Sequence, residues 1–235
     1  MAIRPIYIPA KSGKFLVKAV PVDFKWHAGM AISQKQKSVD ELHSSAKNKV
    51  SGIKKILEVS SKSKEDIGVK LSAFNLMIKT KRYGRTFSVE CAYQSSKVFE
   101  SGQQYIDLLN ATSIEAKKDP RLKDSGRVTS FRFYGQVWPI SPMTAFYDWL
   151  YVNALKNNPE LHAELDQYDA FTDIEFNPEK SINCQAYAVS LFKALQSRNL
   201  LDEATSSQEN FIKLYSDYSI SNTNENEEHQ FGMRI

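Results

Sequence analysis

Glu90, Gln94 and Lys97 stand at i, i+4 and i+7 in the stretch Ser88-Val89-Glu90-Cys91-Ala92-Tyr93-Gln94-Ser95-Ser96-Lys97. On a helix those positions lie within about 60° of one another around the axis. A carboxylate beside the positive end of a helix suits a base or a charge stabiliser more than an acid. An ammonium two turns along the same edge can hold a hydroxyl or donate to a leaving group. The same spacing also fits a solvated face carrying spaced charges. A second pair of carboxylates, Asp173 and Glu175, sits in Ala170-Phe171-Thr172-Asp173-Ile174-Glu175-Phe176. Its period of two puts Phe171, Asp173 and Glu175 on one face of an expected strand. Two carboxylates there need partners such as lysine or a substrate hydroxyl if they are buried.

These residues need elements to position them. Ser88 is a natural N-cap, and Val89, Ala92, Ser96 and Phe99 mark the side of the Ser88–Lys97 helix that faces a core. Upstream, Met77–Thr80 and Arg85–Phe87 flank Lys81-Arg82-Tyr83-Gly84 as a hairpin that delivers the chain to Ser88. Downstream, Tyr105–Leu109 and Ser113–Lys117 read as short helices, with Pro120 as a stop. Arg121–Thr129 reads as a basic connector. Pro142–Leu155 and Cys184–Leu195 read as apolar helices, and Pro159 opens a helix between them.

Before this region, residues 6–8 and 15–24 read as strands around a turn at Lys11–Lys14, and Ile56–Ser60 as a further strand. Ser38, with Glu41 three residues on, reads as the capping box of a helix carrying Leu42, Ala46, Val50 and Ile53. Trp26 with Lys35 and Lys37 offers either base stacking with phosphate contact or a core tryptophan beside solvated lysines. At the other end, Phe211–Tyr215 reads as a short helix or a docking segment, and residues 222–228 as disordered.

The 235 residues suit one large domain, and 42% hydrophobic with 25% charged residues is ordinary for a globular protein. A net charge of +4 is compatible with a phosphate-bearing ligand without demanding one. No apolar run approaches the roughly 20 residues of a membrane span, and the start lacks the apolar region of a signal peptide. Cys91 and Cys184 have no metal-ligand spacing, which reads as a reducing cytoplasm and no structural metal. A phosphate-binding glycine loop, a dinucleotide fingerprint and a Gly-x-Ser-x-Gly elbow are all absent from the sequence.

Three segments in order, Leu71-Ser72-Ala73-Phe74, Ser88–Lys97 and Ala111-Thr112-Ser113-Ile114-Glu115-Ala116-Lys117, carry a resemblance to a known family. They are similar to the L-S-N-F, S-V-E-H-A-Y-Q-A-x-K and A-T-x-x-E-A-K segments of the NADAR family of YbiA-like N-glycosidases. The chain as a whole looks most like the NADAR antitoxins associated with DarT-type DNA ADP-ribosyltransferase toxins. The resemblance implies a single α+β domain with helices around a small mixed sheet. Residues 1–55 would form a strand-rich extension packed on the core, 56–200 the catalytic core, and 201–235 a partly disordered C-terminal segment.

It further implies hydrolysis of the N-glycosidic bond between ADP-ribose and a guanine of DNA, without metal or organic cofactor, reversing a DarT-like toxin. The alternatives are an N-glycosidase acting on a phosphorylated riboflavin-pathway intermediate and a non-catalytic antitoxin binding toxin or modified DNA. Glu90 matches the family's catalytic glutamate, with Lys97 as its cationic partner and Asp173 or Glu175 as a second carboxylate. Ser72, Phe74, Gln94, Trp138 and Asn183 are the candidate substrate-binding residues the resemblance implies, with a purely structural role the alternative for Trp138. Ala73 stands where the family has asparagine, and Ala186 stands near a position where it has glycine. Contacts attributed to those two residues do not carry over.

Overall fold

Three buried strands alternate between two helical layers, and this alternation sets the architecture. The computed structural model describes residues 1–80, 84–179 and 181–219. Strands β1 (Ala2–Pro9), β2 (Val17–Phe24), β3 (Ile56–Glu58) and β9 (Ala170–Thr172) form a four-stranded sheet in the order β2-β1-β9-β3. β1 is antiparallel to both neighbours, and β3 runs parallel to β9. Ile6, Ile56 and Ala170 point into one apolar cluster, and their sequence neighbours Tyr7, Leu57 and Phe171 into the other. Side chains of successive strand residues point to opposite faces, so each of these strands feeds two cores.

The first face is covered by α1 (Ile32–Lys49), whose Val39, Leu42 and Ala46 form one apolar stripe. The second face is covered by α8 (Gln185–Ser197), itself packed on α6 (Ala145–Lys156). α6 is buried on nearly every side, as an apolar helix at the centre of a core must be. Around this centre lie α2 (Asp66–Lys70), the hairpin β4 (Met77–Lys79) and β5 (Thr86–Ser88), and α3 (Val89–Ser96). They are followed by β6 (Lys97–Phe99), a 3₁₀ turn at Ile106–Asn110, α4 (Ser113–Lys118) and α5 (Arg121–Asp124). β7 (Val128–Phe133) joins β6 and β8 (Gln136–Pro139) in a three-stranded sheet. A 3₁₀ turn at Pro159–Leu161 leads into α7 (His162–Leu165), and α9 (Leu201–Ala204) and α10 (Gln208–Asp217) end the described chain. The fold is α+β, and the two N-terminal strands belong to its main sheet.

Several expectations are corrected. The first helix begins at Ile32 rather than at Ser38, which lies buried inside it. The Ser38 hydroxyl accepts the His27 N–H (2.9 Å) and Glu41 lies against the His27 ring, so the apparent capping box ties the incoming strand down instead. The strand expected over 170–176 stops at Thr172, and 173–176 form a turn, so Asp173 and Glu175 do not share a strand face. α3 ends at Ser96, and Lys97 opens a strand paired with Phe131. The helix expected around Tyr105–Leu109 is a 3₁₀ turn, the connector after Pro120 contains α5, and the helix expected from Pro142 starts at Ala145. Phe211–Tyr215 both forms a helix and docks, with the Phe211 ring 6.5 Å from Trp138. The expected turn at 81–83 and the disorder expected at 222–228 lie outside the described residues.

Among the described glycines, Gly68 in α2 has the tightest surroundings. A Cβ there would stand 2.0 Å from the Glu58 carbonyl oxygen and 2.3 Å from Ser63 Oγ. Gly68→Ala is therefore expected to destabilise the protein by about 1–3 kcal/mol or more, because a backbone oxygen cannot step aside. Urea unfolding checks this, with a lower midpoint at unchanged slope as the expected result.

Candidate active site

α3 is held at its first turn by the loop of residues 71–76. Its N-cap Ser88 accepts the Cys91 N–H (3.1 Å), and the next two N–H groups donate outward, Val89 to Leu76 O (3.0 Å) and Glu90 to Ala73 O (2.9 Å). The donors left unpaired at a helix start are thus satisfied by the preceding loop, which fixes where Glu90 begins. The Ser113 hydroxyl of α4 lies 2.8 Å from Phe74 O and 2.7 Å from Ser88 Oγ, closing the loop against the helix. Glu90 and Gln94 are only 6% and 8% exposed, which excludes a solvated face. Gln94 Nε2 donates to Glu90 Oε1 at 2.8 Å.

Lys97 leaves the helix but keeps its neighbourhood. Its Nζ sits 5.2 Å from the centre of the Tyr93 ring. Burial pushes its pKa below the usual lysine value, the Glu90 carboxylate opposes this, and the Lys117 ammonium adds to it. Lys117 Nζ lies 5.0 Å over the Phe74 ring. Tyr93 is held from three sides: Asn183 Nδ2 donates to its hydroxyl (2.7 Å), Tyr147 meets it edge-on at 5.3 Å, and Phe146 stacks at 6.3 Å. Gln94 Oε1 and Asn183 Oδ1 are buried and accept no hydrogen bond from the described residues. A buried acceptor without a donor is costly, and a ligand hydroxyl or amine would remove that cost.

The other expected site residues fall in different surroundings. Ser72 is buried, with its hydroxyl donating to Val69 O (2.8 Å) and accepting from Asn75 Nδ2 (3.0 Å). Asn75, two residues beyond the position where asparagine is usual, is thereby engaged within its own loop. Asp173 is buried at the turn after β9, where Oδ1 accepts the N–H groups of Glu175 (3.0 Å) and Phe176 (3.2 Å). It also takes a hydrogen bond from the Gln185 side chain. Gln185 Oε1 accepts the Ala73 N–H (2.7 Å), so Asp173 is joined to the loop that holds Glu90.

Glu175 is 43% exposed and ion-paired with Lys35 at 3.2 Å. Lys35 Nζ and Arg4 Cζ lie 4.8 Å and 5.6 Å from the Trp26 ring, which therefore carries cations. Trp138 is 0% exposed, packed among Phe146, Trp149 and Phe211. Its ring reaches the site through Phe146, which stacks on Tyr93.

Sequence reasoning missed Lys117 as a site residue, although it closes the third family-like segment. It also missed Tyr93 and Gln185. Glu58 was readable only as a polar residue inside an apolar strand. It is fully buried on β3 and accepts from Ile174 N (2.8 Å), Ser60 Oγ (2.6 Å) and Thr172 Oγ1 (2.7 Å). Burial and the Asp173 charge raise the Glu58 pKa well above the carboxylate range, and burial raises that of Asp173. Burial also pushes Asp148 up to about 7 against the hydroxyls of Tyr215 and Thr144, and pushes His43 down to about 4. Among the described residues no group of three His, Cys, Asp or Glu side chains is arranged to hold a metal ion, and no helix is long and apolar enough to cross a membrane.

The match to a known family covers nearly the whole described chain, the segments around Glu90 included. The model of the DarT1-associated NADAR antitoxins matches residues 2–225. The chain belongs to that family. No curated protein matches it. As a DarT1-associated NADAR protein it has an antitoxin role paired with a DarT-like toxin, within a family of N-glycosidase-like hydrolases. The match spans the N-terminal strands as well as the loop 71–76, α3 and α8.

The buried titratable groups give this NADAR protein an unusual pH dependence. Asp148 titrates at 3.8 in its ordinary state and at about 7 when folded, so its contribution is complete at low pH and is lost as pH rises through about 7. Glu58 and Asp173 act with the same sign. His43 acts oppositely: its contribution is complete above 6.5 and is lost as pH falls through about 4. Above pH about 6.5 His43 no longer opposes the carboxylates and the Asp173 contribution is already lost, so unfolding midpoints should fall as pH rises, through Asp148 up to about 7 and through Glu58 up to about 8, each by up to about 1.4 kcal/mol per pH unit. Urea unfolding from pH about 6 to about 8 checks it, and Asp148→Asn should flatten the slope below about 7 while leaving the slope above it unchanged.

Proposed function

We propose that the protein hydrolyses the N-glycosidic bond between ADP-ribose and a guanine of DNA, restoring the base that a DarT-like toxin has modified. The observation that carries this reading is the buried Glu90 carboxylate, held by Gln94 beside the Lys97 ammonium, with the free acceptors Gln94 Oε1 and Asn183 Oδ1 in the same cluster. Cleaving the bond between the sugar C1″ and guanine leaves positive charge on the sugar and an electron pair on the base nitrogen. Glu90 stabilises that charge and takes a proton from the water that adds to C1″. Lys97, its pKa lowered by burial, gives up a proton to the leaving base more readily than an exposed lysine would. The free acceptors suit the ribose hydroxyls, and Lys97 with Lys117 over Phe74 suits the pyrophosphate. Asp173 fits a second carboxylate better than Glu175, because it joins the Glu90 loop through Gln185 whereas Glu175 pairs with Lys35. A stacked base is out of reach of such a cluster, so the guanine enters flipped or single-stranded.

The test is mass spectrometry of a guanine-ADP-ribosylated oligonucleotide with substoichiometric protein. Wild type should remove the adduct over many turnovers, and Glu90→Gln should lower the rate by about 10²–10⁴-fold while still binding the oligonucleotide. Wild-type rates in Glu90→Gln would remove Glu90 from the chemistry. An adduct untouched by wild type would overturn the reading in favour of a small phosphorylated substrate or of stoichiometric neutralisation. Lys97→Ala should lower the rate by at least about tenfold, and an unchanged rate together with unchanged binding would return Lys97 to a structural role.

A further inference from the structure

Beneath the main sheet, on the face covered by α1, lies a buried polar chain that the proposed chemistry does not touch. Glu58 and Thr172 are register partners on β3 and β9. The Thr172 hydroxyl donates to Glu58 Oε2 (2.7 Å) and lies 2.8 Å from His43 Nε2 on α1. Glu58 Oε1 takes the N–H of Ile174 (2.8 Å) and the hydroxyl of Ser60 (2.6 Å). The backbone is thereby gripped on both sides of Asp173, by the Thr172 side chain before it and by the Ile174 N–H after it. Burying a carboxylate under an apolar helix is expensive, and a leucine there would pack at lower cost. What the carboxylate adds is directional: three donors converge on it and leave the turn one backbone path.

The hydrogen bonds continue on the far side of the turn. Asp173 takes the Gln185 side chain, Gln185 takes the Ala73 N–H, and Ala73 O takes the Glu90 N–H. We infer that Glu58, steadied by Thr172 and His43, is a positioning residue: it fixes the Asp173 turn and, through Gln185 and Ala73, the seat of Glu90. The inference rests on the proposed hydrolase reading for its catalytic consequence. Charged and titratable groups facing the chain are Asp40, Lys47 and Lys64 around His43, and Arg4, Tyr7, Cys184 and Glu175 around Asp173.

The experiment compares Glu58→Leu with Glu58→Gln in the full-length protein. Glutamine keeps an oxygen for Ile174 N–H and offers an NH₂ to Thr172, whereas leucine keeps neither. The readouts are kcat and KM on the modified oligonucleotide and amide exchange at Glu175 and Phe176, which donate to Asp173. Glu58→Leu should lower kcat by about tenfold or more with KM within about threefold and should speed that exchange, since small misplacements of reacting groups are costly. Glu58→Gln should recover both to within about threefold of wild type. A folded Glu58→Leu with wild-type kcat and exchange overturns the inference, and so does a Glu58→Gln as impaired as Glu58→Leu. If Glu58→Leu does not fold, Thr172→Val, which removes only the linking hydroxyl, takes its place, and unchanged exchange and kcat overturn the inference. A wild type that cleaves nothing refutes the hydrolase reading alone. Amide exchange then still decides the positioning: faster exchange upholds it, and unchanged exchange overturns it.

Discussion

Both polar groups of the Ala73 peptide are engaged by opposite halves of the molecule, its N–H by the Gln185 side chain of α8 and its carbonyl by the Glu90 N–H of α3. A buried peptide group must find partners, and here the partners are the starts of two helices, one carrying Glu90 and the other Gln185, which holds the Asp173 turn. The loop 71–76 is therefore a joint whose geometry sets the distance between Glu90 and the Asp173 turn. Ala73 needs no polar side chain for this. The Ala73 side chain is buried in the main core and the joint is made by the peptide, so departure from the family's asparagine leaves the joint intact.

The N-terminal strands bear on the site by the same logic. β1 pairs with β9 at Tyr7 and Phe171, one residue from Thr172 and two from Asp173. α1 brings His43 beneath Thr172 and Lys35 to Glu175. The segment that reads as an extension is thus bound to the turn from below and from outside. Trp26 belongs to this arrangement as well: with Lys35 and Arg4 over its ring and Phe24 against its edge, it acts as the seat of a cation and not as an open stacking platform.

The legible parts of the chain were those where chemistry is local. Ser88 caps α3 because its own hydroxyl reaches its own helix, and the helix expected over Ser113–Lys117 forms as α4 within one short stretch of chain. The burial of Val89, Ala92, Ser96 and Phe99 followed from helical period, although Phe99 reaches the core from a strand. The illegible parts were those where a distant partner decides. Ser38 has the signature of an N-cap, yet the strand arriving at His27 uses its hydroxyl. Lys97 fits the helix edge, but pairing with Phe131 draws it into β6. Asp173 continues an alternating pattern, and three donors bend it into a turn. Glu58 reads only as a polar residue inside an apolar strand, because apart from the Ser60 hydroxyl its partners come from β9 and the following turn.

The buried carboxylates divide by the company they keep. Glu58 and Asp148 meet hydroxyl and peptide donors, form no ion pair among the described residues, and hold their protons into the neutral range. Such neutral acids act as hydrogen-bonding scaffold, locking β3 to β9 in one case and α6 to α10 in the other. Glu90 instead has the Lys97 ammonium near it and the Gln94 amide directed at it, at the start of a helix. A reaction that develops positive charge on a sugar carbon needs a carboxylate of that second kind, because a protonated acid offers the developing charge no opposing one. The scaffold carboxylates and the proposed reactive one therefore require opposite surroundings, and the hydrogen bonds from the Asp173 turn through Gln185 and Ala73 to Glu90 connect the two environments without merging them.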